Sequence, residues 1–538
     1  MPLKPQSRIQ FSPQDGPQEI FAKILQSRDS ISLNPSPPTK QSLASALGIS
    51  LSQLSQFKHF IIQAKKSNTS VCIFGDYDVD GLTSTAILWQ SLTNLGLDVL
   101  PFIPHRQKHG YGLTKTALEE IISGQAFSRP FHPKLIITTD TGIVAHQEID
   151  FLRSQGYQVI LTDHHQASAT LPSADLVIHT QKTAAAGIAF LLAQELLDQS
   201  SAWPLLELAT LGIVADQIPL TGINRDLVFH GLKLLQHPSN PGLQALYRQS
   251  GLRSNQEINV YTLGFIIAPR LNAMGRLAHG LDALRLLCSS DPVINQRLAK
   301  TLEITNRRRQ DLTTEAYQQA LTQLDDSPLN IITSSSFHEG IIGLVAGKLV
   351  ELTHKPTLVL SYNSDLVKGS ARSVPGFDIT QFLRQYQDLF LSVGGHPLAA
   401  GFSLLPSNLD TFINKIKTDI KHLSLSNLPS TYYVDGKLEL SQLNLELYHL
   451  LSQLRPFGLG NPTPKFIIQA DIINPRFIGQ KNQHFRFQLT NGVATLPAIW
   501  FNFPSHLDFS KLSQFVVSLN LNVWNNQTLL QLIIHDGF

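Results

Sequence analysis

From about residue 70 the chain alternates short, unbroken apolar runs with helix-like stretches. Val71-Cys72-Ile73-Phe74 is followed by Val99–Ile103, Leu135–Thr139, Val159–Thr162 and Leu176–Ile178. Helical periodicity occupies Ser84–Leu95 and His146–Gln155 between them. A strand buried on both faces reads as a continuous apolar run, and strands alternating with helices form a parallel sheet. The pattern predicts a doubly wound parallel-sheet α/β domain over 70–291. Upstream, Pro35-Ser36-Pro37-Pro38 predicts a loop and Gln41–Lys66 a helical stretch, within an N-terminal region of residues 1–69. Helical patterns dominate from Ala184 to Asp325, and 292–326 reads as a long connecting helix. A second α/β segment, 327–428, opens at Leu329-Asn330-Ile331-Ile332 and includes Thr357–Leu360 and Asp365–Val367. After it the pattern turns to period two. Phe485, Phe487 and Leu489 alternate with polar residues and Asn491-Gly492 marks a turn, which predicts a small β-barrel of OB type over 429–538. The same alternation assigns Phe485 and Phe487 to the barrel core, with His484 and Arg486 outward.

Composition adjusts this picture in three places. A chain of 538 residues is too long for one hydrophobic core, in keeping with several domains. No apolar run is long enough to span a membrane and the first residues lack the apolar stretch of a signal peptide, so a cytoplasmic protein is expected. Cys72 and Cys288 lie far apart in apolar segments and are read as core residues rather than a disulfide or a thiolate metal site. The 42 Lys and Arg residues barely exceed the 40 Asp and Glu, for a net charge of +2, so global charge neither announces nor excludes a nucleic-acid partner.

The chemistry collects where the strands end. The first run leads into Asp76-Tyr77-Asp78-Val79-Asp80-Gly81, the third into Asp140-Thr141-Gly142, and the fourth into Asp163-His164-His165. Asp216 closes a further apolar segment. In an open parallel sheet all the carboxyl ends face one crevice, so these acids should converge. Any one Asp is more simply a helix cap. Several acids crowded together would repel one another without cations. Carboxylate oxygens with an imidazole or two suit Mn²⁺ or Mg²⁺, and a pair of such ions can activate water and clamp a phosphoryl oxygen.

These segments resemble the DHH phosphoesterases. Phe74-Gly75-Asp76-Tyr77-Asp78-Val79-Asp80-Gly81, Thr139-Asp140-Thr141-Gly142, Asp163-His164-His165 and Gly212–Leu220 are similar to that superfamily's motifs in order and spacing. Others are similar to its RecJ-like branch: Pro104-His105-Arg106 with Gly110-Tyr111-Gly112, Ala268–Arg276, His338–Gly343, Lys368–Ser373, Gly394-Gly395-His396, and Arg455–Pro462. The resemblance covers roughly Ser70 to the C-terminus. It implies DHH, DHHA1 and OB domains, and a metal-dependent 5′-to-3′ exonuclease that degrades single-stranded DNA to nucleoside 5′-monophosphates in repair and recombination.

By that resemblance Asp78, Asp80, Asp140, His164 and Asp216 are expected to hold two divalent ions, Mn²⁺ or Mg²⁺. Asp76 is expected as a ligand or just behind one, Asp163 to orient a ligand histidine, and His165 to face the substrate phosphate. Arg106 and Arg276 are expected near the scissile phosphate and Ser370 and Arg372 toward the 5′ end, with His396 also binding phosphate, since arginine grips phosphate with a planar fork. Gly340 is read as opening a helix whose N–H groups favour phosphate. Arg307-Arg308-Arg309 is read as a solvated helix face, with a DNA channel as the alternative. A monomer is expected, with single-stranded DNA as partner and a single-strand-binding protein and a helicase as family-type partners. Two other readings compete with this one: a DHH-type hydrolase of oligonucleotides or cyclic dinucleotides, and a catalytically inactive replication scaffold.

Overall fold

The computed structural model describes all residues except 1–3, 29–30, 111, 254, 421–430, 505–506 and 525–526. Tyr111 and the expected boundary at 428/429 lie outside the described residues. The chain forms two compact units, one of 1–38, 217–232 and 430–538, the other of 39–216 and 233–429. The first 69 residues are therefore shared between them. Among the described residues no helix is long and apolar enough to cross a membrane.

Strand β1 (Lys4–Ile9) belongs to the smaller unit and is taken up with it below. The larger unit carries two five-stranded sheets. The first contains β2 (Val71–Gly75), β3 (Val99–Phe102), β4 (Leu135–Thr139), β5 (Gln158–Asp163) and β6 (Leu176–His179), all parallel, in the order β3-β2-β4-β5-β6. Strand order reverses at β2, which has β3 on one side and β4 on the other, and such a switch point opens a crevice at the strands' carboxyl ends. Strands β2 and β4 are buried along their whole length, as their unbroken apolar runs require.

The helical stretch expected over Gln41–Lys66 consists of two helices, Lys40–Leu47 and Leu51–Lys66. Gly48 ends the first in the left-handed conformation (φ 73°), and Ser50 with Gln53 forms a capping box that starts the second. The connecting helix spans Pro292–Leu321, with Asp291 as its N-cap and Pro292 in its first turn. It leads to the second sheet: β7 (Asn330–Ser334), β8 (Thr357–Tyr362), β9 (Val367–Arg372), β10 (Phe390–His396) and β11 (Ala399–Leu404), in the order β10-β11-β9-β8-β7. The apolar run at Asp365–Val367 is mostly a turn, because the Asn363 side chain accepts from the N–H groups of Asp365 and Leu366. Cys72 is buried and Cys288 half-buried, and both are free.

The smaller unit is an eight-stranded sheet in the order β1-β12-β13-β17-β18-β16-β15-β14. Its remaining strands are β12 (Thr431–Lys437), β13 (Phe466–Gln469), β14 (Asp471–Ile478), β15 (His484–Thr490), β16 (Thr495–Trp500), β17 (Gln514–Trp524) and β18 (Gln527–Gly537). Phe485, Phe487 and Leu489 face inward with Phe466, Trp500 and Phe515, so the period-two reading of β15 holds. This is the C-terminal OB domain.

Candidate active site

The register of the first sheet brings the acids together. Gly75 pairs with Thr139 and Thr139 with Thr162, so Asp76, Asp140 and the Asp163-His164 step lie side by side at the carboxyl ends of β2, β4 and β5. Helix Val79–Asn94 begins directly beneath them. Its N-cap is Asp78, whose Oδ1 accepts from the N–H groups of Asp80 (3.0 Å) and Gly81 (3.1 Å). Asp80 points from its first turn to the start of another helix, Ala185–Leu196, and accepts from the N–H groups of Ala185 (2.7 Å) and Ala186 (2.9 Å). A helix N-terminus favours a carboxylate there. Asp216 arrives as the C-cap of helix Leu206–Ala215.

Close packing at this junction depends on missing side chains. A Cβ on Gly81 would fall 2.5 Å from the Asp76 carbonyl oxygen, and one on Gly212 would fall 2.8 Å from Asp80 Oδ1. Asp140 adopts a positive φ of 62°, a strained conformation that Asp tolerates better than most residues.

Three overlapping groups could each hold a cation: Asp76-Asp78-Asp140, Asp80-His164-Asp216, and Asp140-His164-His165. Asp140 and His164 each belong to two of them. His164 Nε2 lies 3.1 Å from Asp140 Oδ1, 3.5 Å from Asp80 Oδ2 and 3.6 Å from Asp216 Oδ2. Burial and the charge of Asp78 push the Asp76 carboxyl up to about 8, and the same two causes take Asp216 to about 7. Burial and neighbouring carboxylates raise Asp80 and Asp140 well above the usual range. Burial, then the charge of His165, lowers His164 to about 4, leaving a neutral imidazole able to ligate. Carboxylates crowded in a buried site around a neutral imidazole fit hard divalent cations, whose charge would offset their mutual repulsion.

Asp163 has a separate task. Its Oδ1 accepts from His165 Nδ1 (2.8 Å) and from the backbone N–H groups of His164 and His165, while Oδ2 accepts from Ile143 N–H (2.9 Å). The histidine whose ring it orients is His165, itself a member of the Asp140-His164-His165 group. Burial works to lower the His165 pKa, but the hydrogen bond and charge of Asp163 outweigh it and carry it up to about 9. His179 Nε2 lies 2.7 Å from the His165 carbonyl oxygen and fixes the backbone of the turn from the next strand.

Arginines converge beside the acids. Arg106 lies over the Tyr77 ring at 5.5 Å, close enough for its charge to act on Asp76. Burial, then the nearby charges of Arg106, Arg309 and Arg372, lowers Arg276 to about 10. Arg276 also donates to the Gly340 carbonyl oxygen at 3.1 Å. The Arg307-Arg308-Arg309 run divides: Arg307 and Arg308 are exposed, whereas Arg309 is half-buried and depressed by burial and by Arg270. The expected solvated face therefore describes the first two residues only.

In the second sheet Ser370 pairs with Gly401 and Gly401 with Gly394, while Arg372 pairs with Ala399 and Ala399 with His396. Directly paired residues share a face, so Ser370, Arg372 and His396 flank a glycine floor with open space above Gly394 and Gly401. The helix beside it starts at Ile342, two residues later than the reading from Gly340. Gly340 N–H instead donates to His338 Nδ1, and Gly343 is the residue that meets Ser370 Oγ (2.9 Å from a built Cβ) and Arg372 (3.4 Å). Sequence reasoning gave no role to Asn272, whose Oδ1 accepts from Val79 N–H at 3.1 Å and pins the start of the Asp78-capped helix. Its place inside the Ala268–Arg276 segment was the available signal.

The DHH family, N-terminal domain, matches residues 70–213, the DHHA1 domain residues 327–422, and the RecJ OB domain residues 434–536. The single-stranded-DNA-specific exonuclease RecJ of Dickeya dadantii is 30% identical, with 90% of each chain covered. Those of Bacillus subtilis and Thermus thermophilus are 32% and 33% identical over 89% and 81% of this chain. The chain spans 62% and 64% of the length of those two relatives. The crystal structure of RecJ from Thermus thermophilus in complex with Mn²⁺ superposes with a TM-score of 0.78, at 28% identity, covering 94% of this chain and 78% of that one.

Proposed function

Because the chain belongs to the RecJ family, we propose that it is a 5′-to-3′ exonuclease that hydrolyses single-stranded DNA to nucleoside 5′-monophosphates, in DNA repair and recombination. The observation that carries this reading is the trio of overlapping ligand groups joined through Asp140 and His164, set against a cluster of arginines. Asp78, Asp80, Asp140, His164 and Asp216 would hold two divalent cations, Mn²⁺ or Mg²⁺, with Asp76 completing the group of Asp78 and Asp140. Bound there, the cations would supply activation of water and neutralisation of phosphoryl charge.

The remaining steps belong to side chains. His165, held and charged by Asp163, presents a proton donor to the phosphate. Arg106 and Arg276 offset charge on the scissile phosphate, and Tyr77 keeps Arg106 in place beneath it. Ser370, Arg372 and His396, with the N-terminus of helix Ile342–Thr353, take the phosphate at the 5′ end. The domain limits follow the reading from sequence: an N-terminal region to 69, the DHH domain to 291, the connecting helix, the DHHA1 domain to 428 and the OB domain beyond. A cytoplasmic monomer, working with a single-strand-binding protein and a helicase, completes the proposal on family resemblance alone.

Polarity tests the reading. With an oligonucleotide labelled at its 5′ end, labelled mononucleotide should appear at once, whereas a 3′ label should stay in long fragments until late. Early mononucleotide from the 3′ label, or internal fragments from both, contradicts it.

A further inference from the structure

Helix Ala268–Leu277, which carries Asn272 and Arg276, is preceded without a break by a π-helical stretch, Thr262–Ile267. Pro269 gives the reason for the distortion. It lacks an N–H and its ring crowds the carbonyl of residue 265, so the preceding turn widens. Such π-bulges occur often at functional sites. Here the widened turn displays two aromatic rings. Tyr261 and Phe265 are 63% and 72% exposed, and their rings stack at 4.8 Å with an interplanar angle of 22°.

The π-helical stretch packs against the helix that ends at Asp216. A Cβ on Gly264, between the two rings in sequence, would lie 3.9 Å from the side chain of Val214, two residues before Asp216. Phe265 lies roughly 16 Å along the helix from Arg276, at 1.5 Å per residue. One turn on, Arg270 donates to the Ile266 carbonyl oxygen and pairs with Glu303 of the connecting helix (2.7 Å), which also pairs with Arg307 (2.8 Å) and so ties the aromatic turn to the exposed Arg307-Arg308 step. Flat aromatic surface beside exposed guanidinium groups is the chemistry that holds single-stranded nucleic acid, with bases on the rings and phosphates on the cations.

We infer that Tyr261 and Phe265 form a stacking platform for bases of the DNA strand a few nucleotides on the 3′ side of the cleaved bond. This rests on the proposed single-stranded DNA substrate. The platform sets affinity for strands long enough to reach it and takes no part in bond cleavage.

Steady-state digestion of 5′-phosphorylated oligonucleotides of three and of twelve nucleotides tests it, using the full chain with Mn²⁺. The double substitution Tyr261→Ala, Phe265→Ala is expected to raise KM for the twelve-nucleotide strand about tenfold, the scale of one lost base stack, with kcat held. KM for the trinucleotide should not move. Phe265→Trp should keep the wild-type KM, and Phe265→Leu, apolar but without a π-face, should not. An unchanged KM in the double variant, an equal rise for both lengths, or full rescue by leucine overturns the platform. If the wild-type protein fails to digest either strand, the proposed function itself falls, a result distinct from all of these.

Discussion

At the scale of single residues, the buried acids set how the protein answers to pH and metal. Asp76 and Asp216 titrate near 8 and 7 in the folded, metal-free chain, against 3.8 for an ordinary aspartate. The folded state therefore binds protons that the unfolded chain has released, and the contribution of these groups to stability falls as pH rises from about 4 to about 8. Cations need the ionised forms, so binding expels protons and strengthens as pH rises. The rise in melting temperature caused by Mn²⁺ should be larger at pH 8 than at pH 6; an equal or smaller shift at pH 8 contradicts the ligand assignment. Asp163→Asn separates the two halves of the site. It should lower kcat by roughly 10²- to 10⁴-fold, as loss of an oriented proton donor does, while Mn²⁺ titration by calorimetry still shows binding. Loss of metal binding in that variant would place Asp163 among the ligands. Sequence order and strand-end position were enough to single out the acids. The partner of Asp163 was not legible, because His164 and His165 are adjacent and only the fold decides which ring turns toward it.

At the scale of elements, the strand-turn-helix unit from β2 through Val79–Asn94 governs the site, and Gly81 is its tightest point. Gly81→Ala would drive a methyl group into the Asp76 backbone and should destabilise the protein by about 1–3 kcal/mol, the usual cost of overpacking, with weakened Mn²⁺ binding. Gly347→Ala is the contrast. That position lies within helix Ile342–Thr353 with nothing within 4 Å of a built Cβ, so the change should be neutral or stabilise by up to about 1 kcal/mol. Chemical denaturation of both variants checks the pair, and equal effects would show that the close approach at Gly81 is not tight. In the first sheet β2, β4 and β5 were legible because burial on two faces writes an uninterrupted apolar run, and β8 in the second likewise, whereas β10 and β11 are broken by polar residues and glycines, stay largely exposed on one face, and were not read as strands. The helix after β2 was expected from Ser84 but starts at Val79, since its first turns bury Asp80, Gly81 and Thr83 beneath the acids and these break the apolar periodicity. The split at Gly48 was readable, because glycine followed by the Ser50-x-x-Gln53 box is a stop and a start signal.

At the scale of the whole molecule, a net charge of +2 conceals a strongly local field. Arg106, Arg276, Arg309 and Arg372 come from separate segments of the chain, and folding brings them close enough that, after burial, the charges of the other three lower the pKa of Arg276 and that of Arg106 lowers Arg372. Composition could not show this convergence. If those four side chains meet phosphates, log K for single-stranded DNA should fall with log salt at a slope of about −3, from roughly 0.7 per contact on single strands. A slope near zero in fluorescence anisotropy titrations would remove the arginines from the DNA path. The OB domain was legible from period two and the Asn491-Gly492 turn, whereas the strand β1 that joins its sheet carried no apolar pattern to announce it: Lys4–Ile9 is mostly exposed.

The central claim is that one carboxylate-rich metal centre, organised on Asp140, hydrolyses single strands. The most direct measurement is digestion of matched single- and double-stranded oligonucleotides by the wild-type protein and by Asp140→Asn, each with Mn²⁺ and with chelator. Asparagine keeps the tolerance for positive φ that this position requires and removes the charge. The account expects mononucleotides from the single strand only, lost with chelator and reduced at least about 10²-fold in the variant. Equal digestion of duplex, or wild-type rates from Asp140→Asn, would contradict it.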